Sequence, residues 1–145
     1  MNYQTHAAFA LLIGLEFARG SSVAKLIFLG IVLVTSLLPD IDHPKSKAGK
    51  YVKPISFLFR HRGFFHTPIF LAILLFVIDA LYPPAFIPVF IGYGSHMALD
   101  MITQKGIMPF HPISSYRLKG FVRTGTWVET LIFWALVAVI VLKAI

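Results

Sequence analysis

The sequence predicts an all-α, polytopic membrane protein in which residues 1–145 form a single membrane-embedded domain, a bundle of about five transmembrane helices. The chain is 57% hydrophobic and its mean hydropathy is +0.79, well above the apolar share of ordinary soluble domains. Apolar runs of nearly membrane-spanning length also recur along it. Such recurrence is typical of several membrane spans and not of one buried core.

The apolar runs and the turn residues between them set the helix boundaries. Pro39 closes the second helix, because proline lacks the backbone N–H that would continue it. Thr67 and Pro68 form a good N-cap and first-turn pair for the third, and the sequence YPPA turns the chain into the fourth. The predicted helices are Thr5–Ala18, which is short for a span, Ser22–Leu38, Phe64 or Pro68 to Tyr82, Ala85–Ile102, and Trp127 to the C-terminus.

The distribution of positive charge predicts the orientation of the bundle. The loops Pro39–Gly63 and Thr103–Gly125 both follow even-numbered helices, so they lie on one side of the membrane. Together they contain ten of the thirteen Lys and Arg residues, which makes that side cytoplasmic by the positive-inside rule. Five spans then put the N-terminus inside and the C-terminus outside. If the short first segment does not span, the N-terminus changes sides and the two loops still share a face.

Composition excludes several other classes. The net charge of +7 is better explained by basic cytoplasmic loops than by nucleic-acid binding. The absence of cysteine excludes disulfides and thiolate metal sites. The first residues lack a basic region and a small-residue cleavage site, so no cleavable signal peptide is expected. The predicted location is the plasma (inner) membrane of a bacterium or archaeon.

Histidines and acids gather at the predicted cytoplasmic level. All six histidines and four of the six acids lie in the two loops or within a turn or two of that face, although five separate segments contribute them. Random placement would spread them over both faces. The residues are His6, His43, His61, His66, His96, His111, Asp40, Asp42, Asp100 and Glu129.

The sequence GYGSHMALDMIT contains the most informative pair. His96 and Asp100 are four residues apart, so on a helix both project from one face. In a solvated helix this spacing more often gives a stabilising hydrogen bond, but ionisable groups at the end of an apolar helix usually pair and mark function. The sequence LLPDIDHP adds Asp40, Asp42 and His43. Imidazoles combined with carboxylates suit zinc, manganese or iron.

Other polar residues have simpler interpretations as well. Arg62 is interpreted either as a bidentate phosphate clamp or as a positive-inside anchor. The run Lys45–Lys53 is interpreted as a solvated loop beside lipid headgroups. The sequence TWVE places Thr126 and Glu129 at the spacing of a capping box, so helix capping is preferred to catalysis for Glu129.

Taken together, these motifs resemble those of the YdjM-like family of membrane-bound metal-dependent hydrolases. The matching pieces occur in the family's order and cover nearly the whole chain: His6, LPDIDHP, HRGFFHT, GYGSHMALDMITQKGIMPFHP and RTGTWVE. The resemblance implies a bound metal and hydrolysis more firmly than it implies any substrate.

A fainter similarity extends to the zinc-dependent phospholipase C and nuclease P1 group. That group places His, Asp, His and then HxxxD along an all-helical chain, and here His6, Asp42 or Asp40, His66, and His96 with Asp100 follow that order. The similarity implies two metals bridged by Asp100. This chain has neither an N-terminal tryptophan nor a second HxxxD or HxxxE, so one or two ions are expected and not three.

The resulting hypothesis is a membrane-embedded hydrolase that cleaves a phosphoester of a lipid or other amphiphile through a metal-activated water. Its predicted metal ligands are His6, Asp40, Asp42, His66, His96 and Asp100, with zinc favoured and manganese or iron as alternatives. Arg62 is expected to polarise the substrate, and His61 or His43 to protonate the leaving group. His111 and Arg123 complete the predicted substrate contacts.

Two other functions stay open from the sequence. Histidines and aspartates within helices also form the ion paths of metal or proton transporters, although transporters tend to bind near the midplane and often contain inverted repeats. A non-catalytic membrane protein with a structural metal is the third possibility. The substrate, the metal, the oligomeric state and the choice between Asp40 and Asp42 as inner ligand are not decided by the sequence.

Overall fold

The protein folds into five α-helices over the residues that the computed structural model describes, 1–42 and 62–144. Within these two ranges there is no extended strand, so the all-α prediction is confirmed for them. The helices are α1 (Tyr3–Phe17), α2 (Ser22–Thr35), α3 (Pro68–Leu81), α4 (Phe86–Met101) and α5 (Trp127–Ala144), with short 3-10 helices at Pro39–Asp42, Phe64–His66 and Pro83–Ala85.

The helix starts lie close to the predicted ones, but α2 ends earlier. At the start of α3 the Thr67 hydroxyl accepts a hydrogen bond from Phe70 N at 3.1 Å. At the end of α2 the Thr35 hydroxyl donates to Ile31 O at 2.7 Å and the Ser36 hydroxyl to Leu33 O at 2.8 Å. These side chains compete with the backbone for carbonyls of the last turn. The α-helix therefore stops at Thr35 instead of Leu38, and the 3-10 helix follows at Pro39.

The central helix of the bundle is α4. It packs against α1, α2 and α3, and α1 also contacts α2 and α5. At Gly92 the backbone of α4 lies very close to α2, since a Cβ there would lie 2.1 Å from Thr35 Oγ1 and 2.4 Å from Val32 O. Only glycine lets the two backbones come this close. The contact fixes the end of α2 against the middle of α4.

The bundle buries several polar side chains together with its apolar core, while many large apolar side chains lie on its outer surface. The buried set includes Thr5, Thr35 and Ser95, whereas Leu26 and Phe76 are 70% and 76% exposed. A soluble protein of this size would bury more of its large apolar side chains. Of the described residues, one helical stretch, Ser22–Asp42, is long and apolar enough to cross a membrane, and Pro68–Leu81 is a shorter apolar helix. The crossings by the other helices stay a prediction.

The segment between α4 and α5 folds back on itself instead of forming an open linker. Ile107 and Leu118 exchange two backbone hydrogen bonds of 3.0 Å each, and Gln104 N donates to Val122 O at 2.9 Å. Gly106 has a φ of +60°, and a Cβ there would lie 1.9 Å from Leu118 O. The segment thereby closes over the C-terminal end of α4.

Candidate metal centre

Four segments meet at one end of the bundle and supply the predicted ligands. His6 comes from the first turn of α1, and Asp40 from the 3-10 helix that follows α2. His66 closes the 3-10 helix before α3, while His96 and Asp100 lie in the last turns of α4. All are buried except Asp40, whose side chain is 20% exposed.

Three imidazoles surround the Asp100 carboxylate. The rings of His6 and His96 stack with centroids 3.8 Å apart, and the His66 ring meets His96 edge-on at 5.3 Å. Asp100 Oδ1 lies 3.5 Å from His6 Nε2. Asp100 Oδ2 lies 3.7 Å from His66 Nε2 and 3.8 Å from His96 Nε2. The carboxylate therefore faces a ring nitrogen of each histidine.

These separations fit a shared ion better than direct hydrogen bonds. They exceed the usual N–H···O range of 2.7–3.2 Å. Donors bound at 2.0–2.2 Å to one tetrahedral ion lie roughly 3.3–3.6 Å apart. Both ring nitrogens of His6, Nε2 of His96 and Oδ2 of Asp100 have no hydrogen-bond partner among the described residues. Since buried polar atoms are normally satisfied, the donor chemistry fits a divalent cation here.

The donors form two overlapping groups. His6, His96 and Asp100 make one, and Asp40, His66 and His96 make the other; within each group the ligand atoms lie no more than 4.8 Å apart. His96 Nδ1 lies 2.7 Å from Ser36 O. Because a carbonyl oxygen only accepts, Nδ1 carries the proton and Nε2 alone is open to a metal. His96 can therefore coordinate only one ion, whether the first or the second donor group binds that ion.

The two aspartates of LLPDIDHP have different neighbours. Asp40 Oδ1 lies 3.7 Å from His96 Nε2 and belongs to a donor group. Asp42 Oδ2 lies 3.4 Å from His66 Nδ1, on the side of that ring away from Asp100, and accepts from Arg62 N at 3.0 Å. A 3-10 helix has three residues per turn, so side chains two positions apart point roughly 120° apart. Asp40 therefore belongs to a donor group, whereas Asp42 lies beside Nδ1 of His66 and outside both groups of described residues.

Arg62 is buried within the protein and has a φ of +61°. Its Nη2 donates to Asp100 Oδ1 at 2.8 Å, and its Nη1 donates to Thr103 Oγ1 at 3.0 Å and to Gly106 O at 3.2 Å. The amino nitrogen of Met1 also lies 2.8 Å from Asp100 Oδ1. The Arg62 guanidinium therefore fixes Asp100 and the segment after α4, and its role as a phosphate clamp stays a prediction.

The remaining predicted site residues are not in the donor groups. His43 and His61, the predicted proton donors, lie outside the described residues, as do Arg60 and the run Lys45–Lys53. His111 is half-buried and Arg123 is exposed, both in the segment between α4 and α5.

Glu129 makes more structural hydrogen bonds than a helix-capping role alone predicts. Its Oε2 accepts from Gly125 N at 2.6 Å, one residue before Thr126. Its Oε1 accepts from Asn2 N and from the Thr5 hydroxyl, so the same carboxylate also caps the start of α1. The buried side chain ties the first helix to the last. The sequence predicted its level in the bundle and a capping role, but not its partners 124 and 127 residues away.

Comparison with known proteins supports a membrane assignment. The sequence pattern of the YdjM inner membrane protein family matches residues 1–144. The chain belongs to the YdjM family. No solved structure matches it.

Individual YdjM-family relatives agree with this membership. The chain is 35% identical over 106 residues to the uncharacterized protein YvsG of Bacillus subtilis, covering 68% of this chain and 66% of YvsG. It is 41% identical over 86 residues to the inner membrane protein YdjM of Escherichia coli, and equally to that of Shigella flexneri, covering 52% of this chain and 44% of the relative. The matched segments therefore span about two thirds or less of these curated relatives.

Proposed function

We propose that this YdjM-family protein is a polytopic inner-membrane hydrolase that uses one or two divalent metal ions to cleave a phosphoester of a lipid or other amphiphile. The observation that supports it is the buried donor cluster at the end of an apolar bundle. In this cluster Asp100 Oδ2 lies 3.7 Å from His66 Nε2 and 3.8 Å from His96 Nε2. Zinc is the favoured ion, with manganese or iron as alternatives.

The number of donors per group favours a catalytic over a structural ion. Structural zinc sites are closed by four protein ligands, whereas catalytic sites have three and keep an open position. Each group here has three protein donors. The two groups share His96, so the three side chains of either group could hold one ion and leave a position for substrate or water.

The surrounding residues hold the donors in a productive orientation. A divalent ion bound there would supply an activated water and a Lewis acid. The Ser36 carbonyl fixes the His96 tautomer, and Asp42 orients His66. Arg62 donates to Oδ1 of Asp100, while Oδ2 faces His66 and His96. His61 and His43 remain the predicted proton donors for the leaving group.

The position of the cluster favours an amphiphilic substrate. The donors lie at helix ends, while the outer faces of α2 and α3 expose large apolar side chains such as Leu26 and Phe76. A substrate whose polar group reaches the cluster could keep its tail between or along these helices. The basic loops on the same side suit a phosphate-bearing headgroup.

The test combines metal analysis with an assay of phosphoester cleavage. The purified protein in detergent is expected to contain one or two equivalents of metal and to hydrolyse short-chain phospholipids or p-nitrophenyl phosphate esters, with loss of activity after chelation. His96→Ala and Asp100→Ala are expected to lose both metal and activity. Asp79→Ala, which removes an exposed acid from the far end of α3, is the matched control and is expected to keep both.

The same experiment separates the competing functions. Full metal occupancy in His96→Ala and Asp100→Ala would refute the site. Stoichiometric metal without hydrolysis of any phosphoester would favour a structural ion. Metal uptake into sealed proteoliposomes, abolished by the same variants, would favour transport.

A further inference from the structure

We propose that residues 103–125, here called the basic lobe, form a surface that binds the anionic phospholipid headgroups of the membrane leaflet beside the metal centre. This inference goes beyond hydrolysis and does not depend on it. It rests on the inner-membrane location of the YdjM family and on the predicted membrane crossings of the helices that flank the lobe.

The basic lobe is a defined structure whose loops present side chains outward. Ile107 and Leu118 pair through their backbones, and the Arg117 guanidinium donates to Lys105 O at 2.8 Å. The interior of the lobe is filled by Ile107, Met108 and Val122, which are at most 3% exposed. The exposed side chains are therefore attached to a folded backbone and not to an unstructured linker.

All formal charge on the basic lobe is positive. It contains Lys105, Arg117, Lys119 and Arg123 and no aspartate or glutamate. Lys105, Lys119 and Arg123 are exposed. Juxtamembrane clusters of this kind are attracted to the negative surface potential of anionic lipids. The absence of acids leaves no internal partner to neutralise the three exposed cations within the lobe.

Large apolar side chains are interleaved with these cations. Ile113 and Phe121 are 86% and 83% exposed, and Phe110 and Tyr116 are more than half exposed. Aromatic and aliphatic side chains next to cations suit the headgroup layer, where rings and chains enter the acyl boundary and charges stay at the phosphates. A nucleic-acid surface would also use cations and rings, but it gives no reason to expose Ile113.

The position of the lobe at the ends of two helices also suits contact with the surface of a membrane leaflet. It begins directly after α4 and ends directly before α5, so both of its ends lie at the helix termini that surround the metal centre. The occupant that fits the charge, the apolar side chains and this position is the anionic headgroup layer itself.

The experiment uses a fluorophore on the lobe. The chain has no cysteine, so Ser115→Cys, at an exposed position between Ile113 and Tyr116, can be labelled at one site with an environment-sensitive dye. The labelled full chain is placed in nanodiscs of phosphatidylcholine alone or mixed with phosphatidylglycerol. We expect a blue shift and reduced quenching by aqueous acrylamide, an uncharged quencher, only when phosphatidylglycerol is present.

Charge-matched variants test the cause. Replacing Lys105, Lys119 and Arg123 together by Gln is expected to abolish the phosphatidylglycerol-dependent shift. Replacing Arg19, Lys25 and Lys143 by Gln removes the same charge from exposed sites at the opposite end of the helices and is expected to leave it intact. Circular dichroism and gel filtration verify that both triple variants remain folded.

Three results would overturn the proposal. The first is equal quenching in both lipid compositions, and the second is a shift that survives in the Lys105, Lys119 and Arg123 variant. The third is protection of the dye by duplex DNA or RNA as strong as that by phosphatidylglycerol, which would make the lobe a nucleic-acid surface.

Discussion

The donor side chains of the candidate metal centre are each held by a different neighbouring group. His96 is held by the Ser36 carbonyl and His66 by Asp42, while Asp100 is held through Oδ1 by Arg62. Groups behind a ligand usually tune affinity and do not contribute a bond to the ion. The two aspartates of LLPDIDHP should therefore differ in their effect on metal binding.

Asp40→Asn and Asp42→Asn provide a direct comparison. Asp40→Asn is expected to weaken zinc binding by more than Asp42→Asn, because it replaces a charged donor at the centre. Asp42→Asn only loosens the hold on His66, which typically costs 10–100-fold in affinity. Zinc affinity of the purified variants is measured by competition with a chelator. Equal losses, or a larger loss in Asp42→Asn, would contradict the assignment of Asp40 as the inner carboxylate.

Arg62 gives a second test at this scale. Arg62→Lys is expected to destabilise the protein by about 1–3 kcal/mol, because an ammonium cannot reach Asp100, Thr103 and Gly106 with the fork of a guanidinium. Thermal unfolding in detergent without substrate measures this effect. Arg117→Lys, which alters an exposed hydrogen bond to Lys105 O, is the control and should change stability by less than about 0.5 kcal/mol. An unchanged melting temperature with a raised KM would instead support the phosphate clamp.

Among the helices, α4 matters most because it contacts three others and contributes two donors. Its close contact with α2 at Gly92 brings Ser36 O within 2.7 Å of His96 Nδ1. The geometry of the centre therefore depends on a backbone contact one turn away from the ligands.

Gly92→Ala is expected to lower stability by about 1–3 kcal/mol, the usual cost of overpacking, and to weaken zinc binding as well. The new methyl would lie within 2.1–3.0 Å of Thr35 Oγ1, Val32 O and Ser36 N. Gly94→Ala is the matched control on the same helix: a Cβ there would meet none of the described residues within 4 Å, so the gain in helix propensity should make it neutral or stabilising. Thermal unfolding and chelator competition measure both variants. Equal behaviour of the two would refute the close contact.

Helix positions were largely predictable from sequence, whereas the arrangement of the centre was not. The predicted start of α2 at Ser22 and that of α5 at Trp127 match the structure, because apolar periodicity and capping residues are local signals. The end of α2 was predicted three residues too late, since the back-bonding of Thr35 and Ser36 has no strong signature. Which of Asp40 and Asp42 points toward the donor cluster depends on the geometry of the 3-10 helix. The hydrogen bond of His96 to Ser36 uses a backbone carbonyl, which no residue type in the sequence reveals.

For the molecule as a whole, the many exposed large apolar side chains agree with the inner-membrane location of the YdjM family. The donor cluster and the basic lobe lie at one end of the helices, and the turns that contain Gly20 and Pro83 lie at the other. The positive-inside rule predicts that the cluster faces the cytoplasm.

Single cysteines in the cysteine-free chain test that orientation. A membrane-impermeant maleimide applied to intact cells is expected to label Ser22→Cys, at the start of α2, and to miss Ser115→Cys in the basic lobe. Inverted membrane vesicles should give the opposite pattern, and the cysteine-free parent should remain unlabelled in both. Labelling of both positions from the same side would contradict the prediction that all three intervening helices, α2, α3 and α4, cross the membrane.

The bond between the first and last helices has a consequence for biosynthesis. Asn2 N and the Thr5 hydroxyl donate hydrogen bonds to Glu129, which is more than 120 residues later in the chain. At about 5–20 residues per second, the ribosome needs roughly 6–25 s to make the intervening polypeptide. During that interval the start of α1 lacks its final hydrogen-bond partner. The first turn of α1, which contains His6, is therefore capped by Glu129 only after translation has passed that residue.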